Sequence, residues 1–378
     1  MKLSCTRENL HQGLSITSHI TSKNVNLPVL QNVLVKADGG AIRFTTTNLE
    51  IAVSCSVRGK VEVPGEFTVP SKLFFDYVSL LPNETVTVEE AGTSMSVSCA
   101  GNKTRMNGLP ASEFPLVPEV TASRSYRIPV ASFRSALSQV LFAVATNESR
   151  PELAGVCIRF GNSGTNSTMT LAATDSYRLA EAVVPLPAGS VETEETVIIP
   201  ARTLSEVNRI LSVFKDEVDS PAEISLKLSD NQAAFDYGTV ELVSRLIEGH
   251  YPDYRQIIPK SFQTQSLLDR DDMVKAVKTA SLFSRTGLFD VTLEFDVNEK
   301  KLRVKATDAA RGDNTAECGA EATGSDNNVT VNYRYLLDGL NAMGGDRVSF
   351  KMIDGGNPCV ISPSEGTGYL YIVMPIKQ

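Results

Sequence analysis

The residues best placed to do chemistry lie in one short stretch, ATDSYRLA (173–180), which carries an acid, a phenol and a cation. Asp175, Tyr177 and Arg178 would suit a hydrolase or a transferase, because such groups can surround a substrate and exchange protons with it. The same spacing also suits a turn at a sheet edge, in which Asp175 accepts hydrogen bonds from backbone amides. Both interpretations are open at this point.

No other catalytic motif accompanies that stretch. The sequence has no GxxxxGK[ST], no GxGxxG after a strand, no HExxH and no GxSxG. Its six cysteines are scattered without a CxxC pair, which favours six buried thiols over disulfides or a metal site. Its three histidines are too few and too dispersed for a typical zinc site. We therefore expect no catalytic residue, no metal and no cofactor, and we favour a binding protein.

The elements that would position these residues occur three times along the chain. The strand-to-helix junctions VPSKL, IPARTL and VNYRYL begin at Val69, Ile199 and Val331. A period of about 130 residues indicates repeated domains rather than solenoid units. Three similar domains suggest an arc, or part of a ring. We place the domain boundaries at 1–124, 125–260 and 261–378.

Each repeat alternates strands with two helices. Apolar residues at period two predict strands, for example Ile224, Leu226 and Leu228. The connections between neighbouring strands are short, which favours antiparallel sheets and an α+β fold class. Helical spacing predicts two apolar helix faces in the second repeat, formed by Phe133, Ala136, Leu137, Val140, Leu141 and Val144, and by Leu204, Val207, Ile210, Leu211 and Phe214.

The composition is that of a globular protein, with 42% hydrophobic and 21% charged residues among 378. The longest nearly apolar stretch, VLFAVA (140–145), is far shorter than the roughly 18 residues of a membrane span. The first residues, MKLSCTRENLHQG, lack the apolar segment of a signal peptide. We expect a cytoplasmic protein.

Six motifs, read together, resemble one family. In chain order they are LPVLQN (27–32), TNLE (47–50), LPASEFP (109–115), ATDSYRLA (173–180), EGHYPDY (248–254) and YIVMPIK (371–377). Their order, on a threefold repeat of this length, resembles the bacterial sliding clamp, the beta subunit of DNA polymerase III.

The resemblance implies a DNA-clamp fold in which each of the three domains has two helices and two antiparallel four-stranded sheets. Two subunits would form a homodimeric ring around double-stranded DNA, independent of its sequence, and tether the replicative polymerase to confer processivity. The clamp loader and repair proteins would bind through short linear motifs, and the chain would do no chemistry. A three-domain β-rich interaction scaffold that does not encircle DNA is the alternative.

The distribution of charge agrees with a ring that is positive only in its bore. The whole chain has a net charge of −8, whereas the six predicted helical segments together carry +6 and the remainder −14. Members of the family often have arginine where this chain has Asn24, so we expect a weak contact from that loop. The predicted DNA-binding residues are Arg7, Lys23, Asn24, Arg134, Asn147, Arg150, Arg202, Arg209, Lys275 and Lys278, with Asp271 able to pair with Lys275 at i, i+4.

The resemblance also implies a hydrophobic groove for partner peptides and an apolar seam between subunits. The groove residues would be Leu153, Thr174, Ser176, Tyr177, Arg178, Leu179, Pro252, Gln256, Ile257, Pro358, Ile372, Val373, Met374, Pro375 and Ile376. The seam would bring Leu282 and Phe283 of one subunit against Leu73, Thr104 and Met106 of the other. Across it, Lys103 and Arg105 would face Asp308, Asp313 or Glu317, a sparse set of acids.

Overall fold

The computed structural model describes residues 1–20, 27–146, 149–164, 166–214, 220–366 and 368–377. The predicted DNA contacts Lys23, Asn24 and Asn147 lie outside the described residues. Within the described ranges, six α-helices alternate with short β-strands, two helices to each repeat. None of the described helices is long and apolar enough to cross a membrane.

The first repeat contributes ten strands and two helices. They are β1 (Lys2–Thr6), α1 (Arg7–Thr17), β2 (Asn32–Asp38), β3 (Ala41–Thr47), β4 (Ile51–Arg58), β5 (Lys60–Val63), β6 (Gly65–Pro70), α2 (Ser71–Ser79), β7 (Thr85–Ala91), β8 (Ser94–Cys99), β9 (Asn102–Asn107) and β10 (Leu109–Pro110).

The second and third repeats contribute eight strands and two helices each. The second has β11 (Arg124–Pro129), α3 (Val130–Val140), β12 (Gly155–Ser163), β13 (Asn166–Thr174), β14 (Arg178–Pro185), β15 (Glu195–Pro200), α4 (Ala201–Val213), β16 (Glu223–Leu228), β17 (Gln232–Tyr237) and β18 (Val240–Arg245). The third has β19 (Thr264–Asp269), α5 (Arg270–Ser281), β20 (Asp290–Asp296), β21 (Lys301–Asp308), β22 (Gly312–Gly324), β23 (Asn327–Asn332), α6 (Tyr333–Ala342), β24 (Arg347–Met352), β25 (Cys359–Pro363) and β26 (Tyr369–Val373).

The strands form three sheets in which neighbouring strands are antiparallel, as predicted. Their orders are β5-β1-β7-β8-β9, β10-β6-β2-β3-β4-β18-β17-β16-β11 and β15-β12-β13-β14-β26-β25-β24-β19-β22-β21-β20-β23. Groups of four successive strands recur in these orders, but they are joined into larger sheets and do not form separate four-stranded sheets. Sheets of successive repeats join edge to edge, β4 with β18 and β14 with β26, because each edge offers unpaired backbone groups to the other.

The chain packs as two compact units. One consists of Met1–Val130 with Glu206–Leu246, and the other of Ala131–Ser205 with Ile247–Gln378. The five- and nine-stranded sheets belong to the first unit, and the twelve-stranded sheet belongs to the second. The strands of the central repeat are therefore divided, since β11 and β16 to β18 pack in one unit while β12 to β15 pack in the other.

A strand runs directly into each of the six described helices. The last strand residue is a proline at Pro70, Pro129 and Pro200. Proline ends strand pairing because it has no backbone N–H, and at the start of a helix that N–H would have no helical partner. Asp269 and Asn332 instead accept backbone N–H hydrogen bonds as N-caps of α5 and α6. These junctions confirm the boundaries that VPSKL, IPARTL and VNYRYL predict.

The apolar helix faces are largely as predicted. All five residues predicted for α4 are buried, as are the first four predicted for α3. The continuation of the α3 face to Leu141 and Val144 is wrong, because α3 ends at Val140 and 141–143 form a 3₁₀ turn. The carbonyl of Phe142 accepts a hydrogen bond from the guanidinium of Arg178 at 2.6 Å, which fixes that turn.

Two arginines hold the carboxyl ends of helices. Arg7 donates to the carbonyls of Val78 and Ser79 after α2, and Arg270 donates to the carbonyl of Met343 after α6. Both arginines are the first residue of the other helix in their repeat. Such contacts satisfy carbonyls that lack helical partners and favour the negative end of the helix dipole.

The six thiols are free, and five of them are buried as predicted. Cys318 is the exception, since it lies half-buried on β22. Burial raises the pKa of the Cys5 and Cys359 thiols to about 12, so these sulfurs are poor nucleophiles. Among the described residues no group of three His, Cys, Asp or Glu side chains is placed to hold a metal ion.

Gly339 is where α6 packs most closely on β26. A Cβ atom at this position would lie 2.2 Å from Cε1 of Tyr371. We predict that Gly339→Ala lowers the free energy of unfolding by about 1–3 kcal/mol through overpacking, although alanine favours helix by about 1 kcal/mol. Denaturant unfolding would measure this. Gly344→Ala is the matched control, because no atom lies within 4 Å of its added Cβ; equal stability of the two variants would contradict the prediction.

Candidate functional site

The ATDSYRLA stretch forms a hydrogen-bonded turn between β13 and β14. The Asp175 Oδ1 atom accepts from the backbone amides of Tyr177 at 2.9 Å and Arg178 at 3.0 Å. Ser176 has φ +78°, a left-handed conformation at the apex of the turn. The prediction that Asp175 accepts backbone hydrogen bonds is confirmed, since the amides of Tyr177 and Arg178 both donate to its carboxylate.

Arg178 ties the turn to its surroundings. Its guanidinium donates to Asp175 Oδ2 at 3.0 Å and to Asp338 Oδ2 at 2.6 Å, and it lies 4.5 Å above the ring of Tyr335. Burial alone would lower the pKa of Arg178, but the hydrogen bond with Asp338 and the nearby carboxylates raise it above its ordinary value. A fixed cation in contact with a ring face gives the turn a rigid base.

The floor beside this turn is apolar. Leu179 on β14, Val360 on β25 and Ile372 on β26 are buried together. The register brings them side by side, because Leu179 pairs with Ile372, and Ile372 pairs with Val360. Partly buried apolar side chains surround this floor, namely Tyr254, Ile258, Phe262, Leu370 and Met374.

The rim of the floor presents apolar groups to solvent. Tyr177 is 64% exposed, and its ring stacks against Tyr335 with 6.5 Å between centroids. Ile257, in a 3₁₀ turn of the linker, is 42% exposed. Exposed apolar groups around a buried apolar floor form a surface that can receive an apolar side chain from another molecule.

Residues after β26 complete one wall. The Met374 amide donates to the carbonyl of Tyr177 at 2.9 Å, which continues the pairing of β14 and β26 beyond the strand end. Pro375 forms a β-bridge with Val331, and the Ile376 amide donates to the carbonyl of Thr330 at 2.8 Å. The last described residues are thereby fixed against β23.

Two linker tyrosines hold the opposite side of the apolar floor through hydrogen bonds. The Tyr251 hydroxyl accepts from the Thr174 amide at 3.1 Å, and the Tyr254 hydroxyl donates to Glu181 Oε2. Burial raises the pKa of Tyr251, and burial together with the charge of Glu181 raises that of Tyr254. Both phenols therefore stay protonated at neutral pH and act as fixed hydrogen-bonding groups.

Of the predicted groove residues, Leu179, Ile372 and Met374 lie in one apolar cluster, and Tyr177 and Arg178 lie in the turn. Leu153 and Val373 are buried, Thr174 and Ser176 belong to the turn, and Pro358 precedes β25 half-buried. Pro252 and Gln256 lie in the linker with Ile257, Gln256 being bonded to Asp253.

Several contributors were missed by sequence reasoning, among them Val360, Tyr254, Phe262, Tyr335 and Asp338. The run of three apolar residues Cys359, Val360 and Ile361 was a usable signal for a buried strand. Nothing local indicated that Asp338, 160 residues away, would meet Arg178.

The predicted DNA-binding residues fall into two groups. Arg202 and Lys278 are exposed, Arg134 is half-buried, and Lys275 is exposed while bonded to Asp272 at 3.3 Å. The prediction that Asp271 pairs with Lys275 is wrong, because Asp271 pairs with the adjacent Arg270.

The side chains of the other predicted cations form hydrogen bonds or ion pairs with groups of the same chain. Arg7 holds the end of α2, and Arg150 bonds to Glu152 at 3.0 Å. Arg209 pairs with Glu206 and donates to the carbonyls of Ser15 and Ile16.

The predicted seam residues differ in exposure. Leu73 on α2 is 54% exposed and Leu282 after α5 is 68% exposed, whereas Phe283 and Thr104 are half-buried and Met106 is 4% exposed. Of the predicted acids, Glu317 already pairs with Lys301 and Arg303.

Comparison with known proteins identifies the family that the six sequence motifs resemble, and the matches include all three repeats. Family models of the DNA polymerase III beta subunit match its N-terminal domain at residues 1–118, its central domain at 127–253 and its C-terminal domain at 255–377. The fold and the site thus define a three-domain clamp of the α+β class. The chain belongs to the DNA polymerase III beta subunit family, the beta sliding clamps.

Individual relatives match from end to end. The beta sliding clamp of Synechocystis sp. is 31% identical, with 100% of this chain and 99% of that protein covered. The crystal structure of the Pseudomonas aeruginosa sliding clamp bound to griselimycin is 26% identical, with a TM-score of 0.92 and 100% of both chains covered. That of the C. crescentus beta sliding clamp is 25% identical, with a TM-score of 0.93 and the same coverage.

Tyr254→Phe tests the lock between the linker and β14. At pH 7 we predict that the variant loses about 1–3 kcal/mol of stability, because Glu181 loses its donor. The raised pKa of Tyr254 stabilises the folded protein fully below the unfolded value of about 10, and this stabilisation is lost as the pH rises above it. The difference in stability between wild type and variant, measured by thermal unfolding, should therefore become smaller above pH 10. Tyr177→Phe, on an exposed ring, is the control; a gap that is constant or widens with pH would contradict the prediction.

Proposed function

We propose that the protein is a ring-forming sliding clamp that confers processivity on a bacterial replicative polymerase and does no chemistry itself. The observation that carries this proposal is the apolar surface built on Leu179, Val360 and Ile372, with exposed Tyr177 at its rim. Such a surface receives a partner rather than a reacting substrate. Asp175, the acid of the stretch that suggested catalysis, accepts hydrogen bonds within the turn through both carboxylate oxygens.

The groove suits a short peptide with leucine and phenylalanine anchors. A buried aliphatic floor gains free energy by removing such side chains from water, at about 25 cal/mol per Å². Met374 is unbranched and only partly buried, so it can adjust to anchors of different shape. Arg178 fixes the turn that carries Tyr177 and would act on the peptide through that turn. One adaptable groove would serve the polymerase, the clamp loader and repair proteins in turn.

Two copies would close into a ring around duplex DNA. Leu73 and Leu282, which the family resemblance assigns to the seam, are exposed and would be removed from water when two copies associate. The acids opposite Lys103 and Arg105 are few, and Glu317 is engaged within its own chain, so the seam would depend on apolar contact. A ring is held on DNA by topology and needs only weak contacts to phosphates.

Those contacts would come from exposed helix cations such as Arg202 and Lys278. Phosphate contacts carry no base information and weaken with salt, which suits a protein that slides. A protein that works on bacterial chromosomal DNA would be cytoplasmic. The alternative of a scaffold that does not encircle DNA is not favoured, because the chain matches sliding clamps across all three repeats.

The ring makes a prediction about topology. The wild type should be a dimer of about 82 kDa, twice the 40.8 kDa chain, and once loaded on nicked circular DNA it should be lost when the circle is cut. Leu282→Asp with Phe283→Asp should give a folded monomer that is not retained on circles. Analytical ultracentrifugation and gel filtration with labelled DNA would measure both. Leu80→Asp, at an 86% exposed leucine outside the predicted seam, is the control. Equal retention on linear and circular DNA would rule out the ring.

Removal of residues 374–378 tests the groove. The shortened chain should fold and dimerise, but it should no longer bind a peptide with leucine and phenylalanine anchors, because Met374 and its neighbours form one wall. Tyr177→Ala should weaken the same peptide by about 1–2 kcal/mol. Fluorescence anisotropy with a labelled peptide would measure the affinity, and circular dichroism would check the fold. An unchanged affinity in the folded, shortened dimer would move the partner site elsewhere.

A further inference from the structure

The turn that carries Tyr177 has a close copy in the first repeat. The Asn48 Oδ1 atom accepts from the amides of Glu50 at 3.0 Å and Ile51 at 2.8 Å, as Asp175 accepts from Tyr177 and Arg178. Leu49 has φ +77°, matching Ser176 at +78°.

The flanking threonines match as well. Thr47 Oγ1 accepts from the Leu49 amide and donates to the Ile51 carbonyl, and Thr174 makes the same two bonds in its turn. The two turns share one backbone conformation and one set of hydrogen bonds, although the three residues after the threonine differ.

The strand that follows the turn is also used in the same way. β4 pairs antiparallel with β18, the last strand of the next repeat, as β14 pairs with β26. Beyond the strand end, the Arg245 amide donates to the Glu50 carbonyl at 3.2 Å, which is the counterpart of the bond from Met374 to Tyr177. Arg245 therefore occupies the position of Met374, and Glu50 that of Tyr177.

A cleft of about 350 Å³ lies beside this second turn, within the first unit. Leu49, Ile51 and Val243 line it, together with the proline-bearing linker 115–118. Leu49 is 47% exposed and Leu116 in the linker is 98% exposed. A leucine held in the left-handed region with its side chain half in solvent is disfavoured, and such strain concentrates where a surface binds something.

The chemistry of this cleft differs from that of the groove at Tyr177. Where the groove has Tyr177 and Met374 at its rim, the cleft has a carboxylate and a guanidinium, Glu50 and Arg245, both exposed. An apolar interior with one charge of each sign at its mouth fits an aliphatic side chain that is flanked by a basic residue and an acidic residue. Phenylalanine-bearing peptides without charges would gain less here.

We propose that this cleft is a second peptide-docking groove, which takes a short extended segment of a partner protein with one leucine anchor between a basic and an acidic residue. The leucine enters between Leu49 and Val243, the basic residue faces Glu50 and the acidic residue faces Arg245. This inference rests on the proposed function of the first groove. There, a turn, the last strand of a repeat and a linker would jointly form a surface that binds a peptide.

The probes are two fluorescein-labelled hexapeptides, Ser-Lys-Leu-Asp-Ser-Gly and the reverse charge order Ser-Asp-Leu-Lys-Ser-Gly, each with a serine-for-leucine control. Fluorescence anisotropy should show that one order binds the wild-type dimer and that its control does not. Leu49→Asn and Arg245→Glu should each weaken it about tenfold. Asparagine tolerates the left-handed conformation, so Leu49→Asn keeps the turn.

Matched controls and a charge exchange sharpen the test. Leu80→Asn and Arg58→Glu change an exposed leucine and an exposed arginine away from the cleft, and should leave affinity unchanged. The double variant Glu50→Arg with Arg245→Glu should prefer the other charge order. No binding of either hexapeptide, or equal binding to the wild type and the cleft variants, would overturn the proposal.

The shortened chain that lacks residues 374–378 separates the two grooves. It should keep the charged hexapeptide and lose the peptide with leucine and phenylalanine anchors. Loss of the hexapeptide in that chain, with the cleft variants unaffected, would place its binding in the first groove and refute a second one. Retention of both peptides would instead refute the proposed function of the first groove and leave the cleft supported.

Discussion

The groove depends on one antiparallel pairing, that of β14 with β26. It joins strands from different repeats in a fixed register, Arg178 opposite Val373 and Leu179 opposite Ile372. A shift of β26 by one residue would turn Ile372 away from the floor that Leu179 shares and bring a neighbour of Ile372 into it, since side chains alternate between the faces of a sheet. The turn, the apolar floor and the wall at Met374 are therefore set by backbone hydrogen bonds before any side chain contributes specificity.

Side-chain electrostatics then stiffen what the pairing places. Arg178 sits between Asp175 and Asp338 on the face of Tyr335, and it also holds the 3₁₀ turn at Phe142. A single guanidinium thus links the turn, a helix of the third repeat and the end of α3. Because each of these contacts uses the planar fork of arginine, lysine would not replace it. The proposed binding surface is a rigid support with one adaptable residue, Met374, at its edge.

Local patterns in the sequence predicted the features that depend on local burial. The face of α4 from Leu204 to Phe214, the strand-to-helix junctions and the backbone bonds of Asp175 follow from periodicity and turn chemistry. Long-range pairing was beyond such patterns. Arg209 lies on the predicted polar face, yet it donates to carbonyls about 190 residues earlier in the chain. The edge-to-edge joining of sheets was missed because a strand pattern carries no information about its neighbour. The early end of α3 was missed as well, and just beyond it the Phe142 carbonyl accepts a hydrogen bond from the distant Arg178.

The edge-to-edge joining also bears on how a three-repeat chain can be inherited. Deleting one repeat from the gene would leave β4 or β14 without its partner strand and expose a ladder of free amides and carbonyls. Such an edge invites pairing with another copy and aggregation. Because the central repeat supplies strands to both compact units, its loss would open both sheets at once. Once duplicated and joined in this way, the repeats can diverge in sequence freely, but their number is difficult to change.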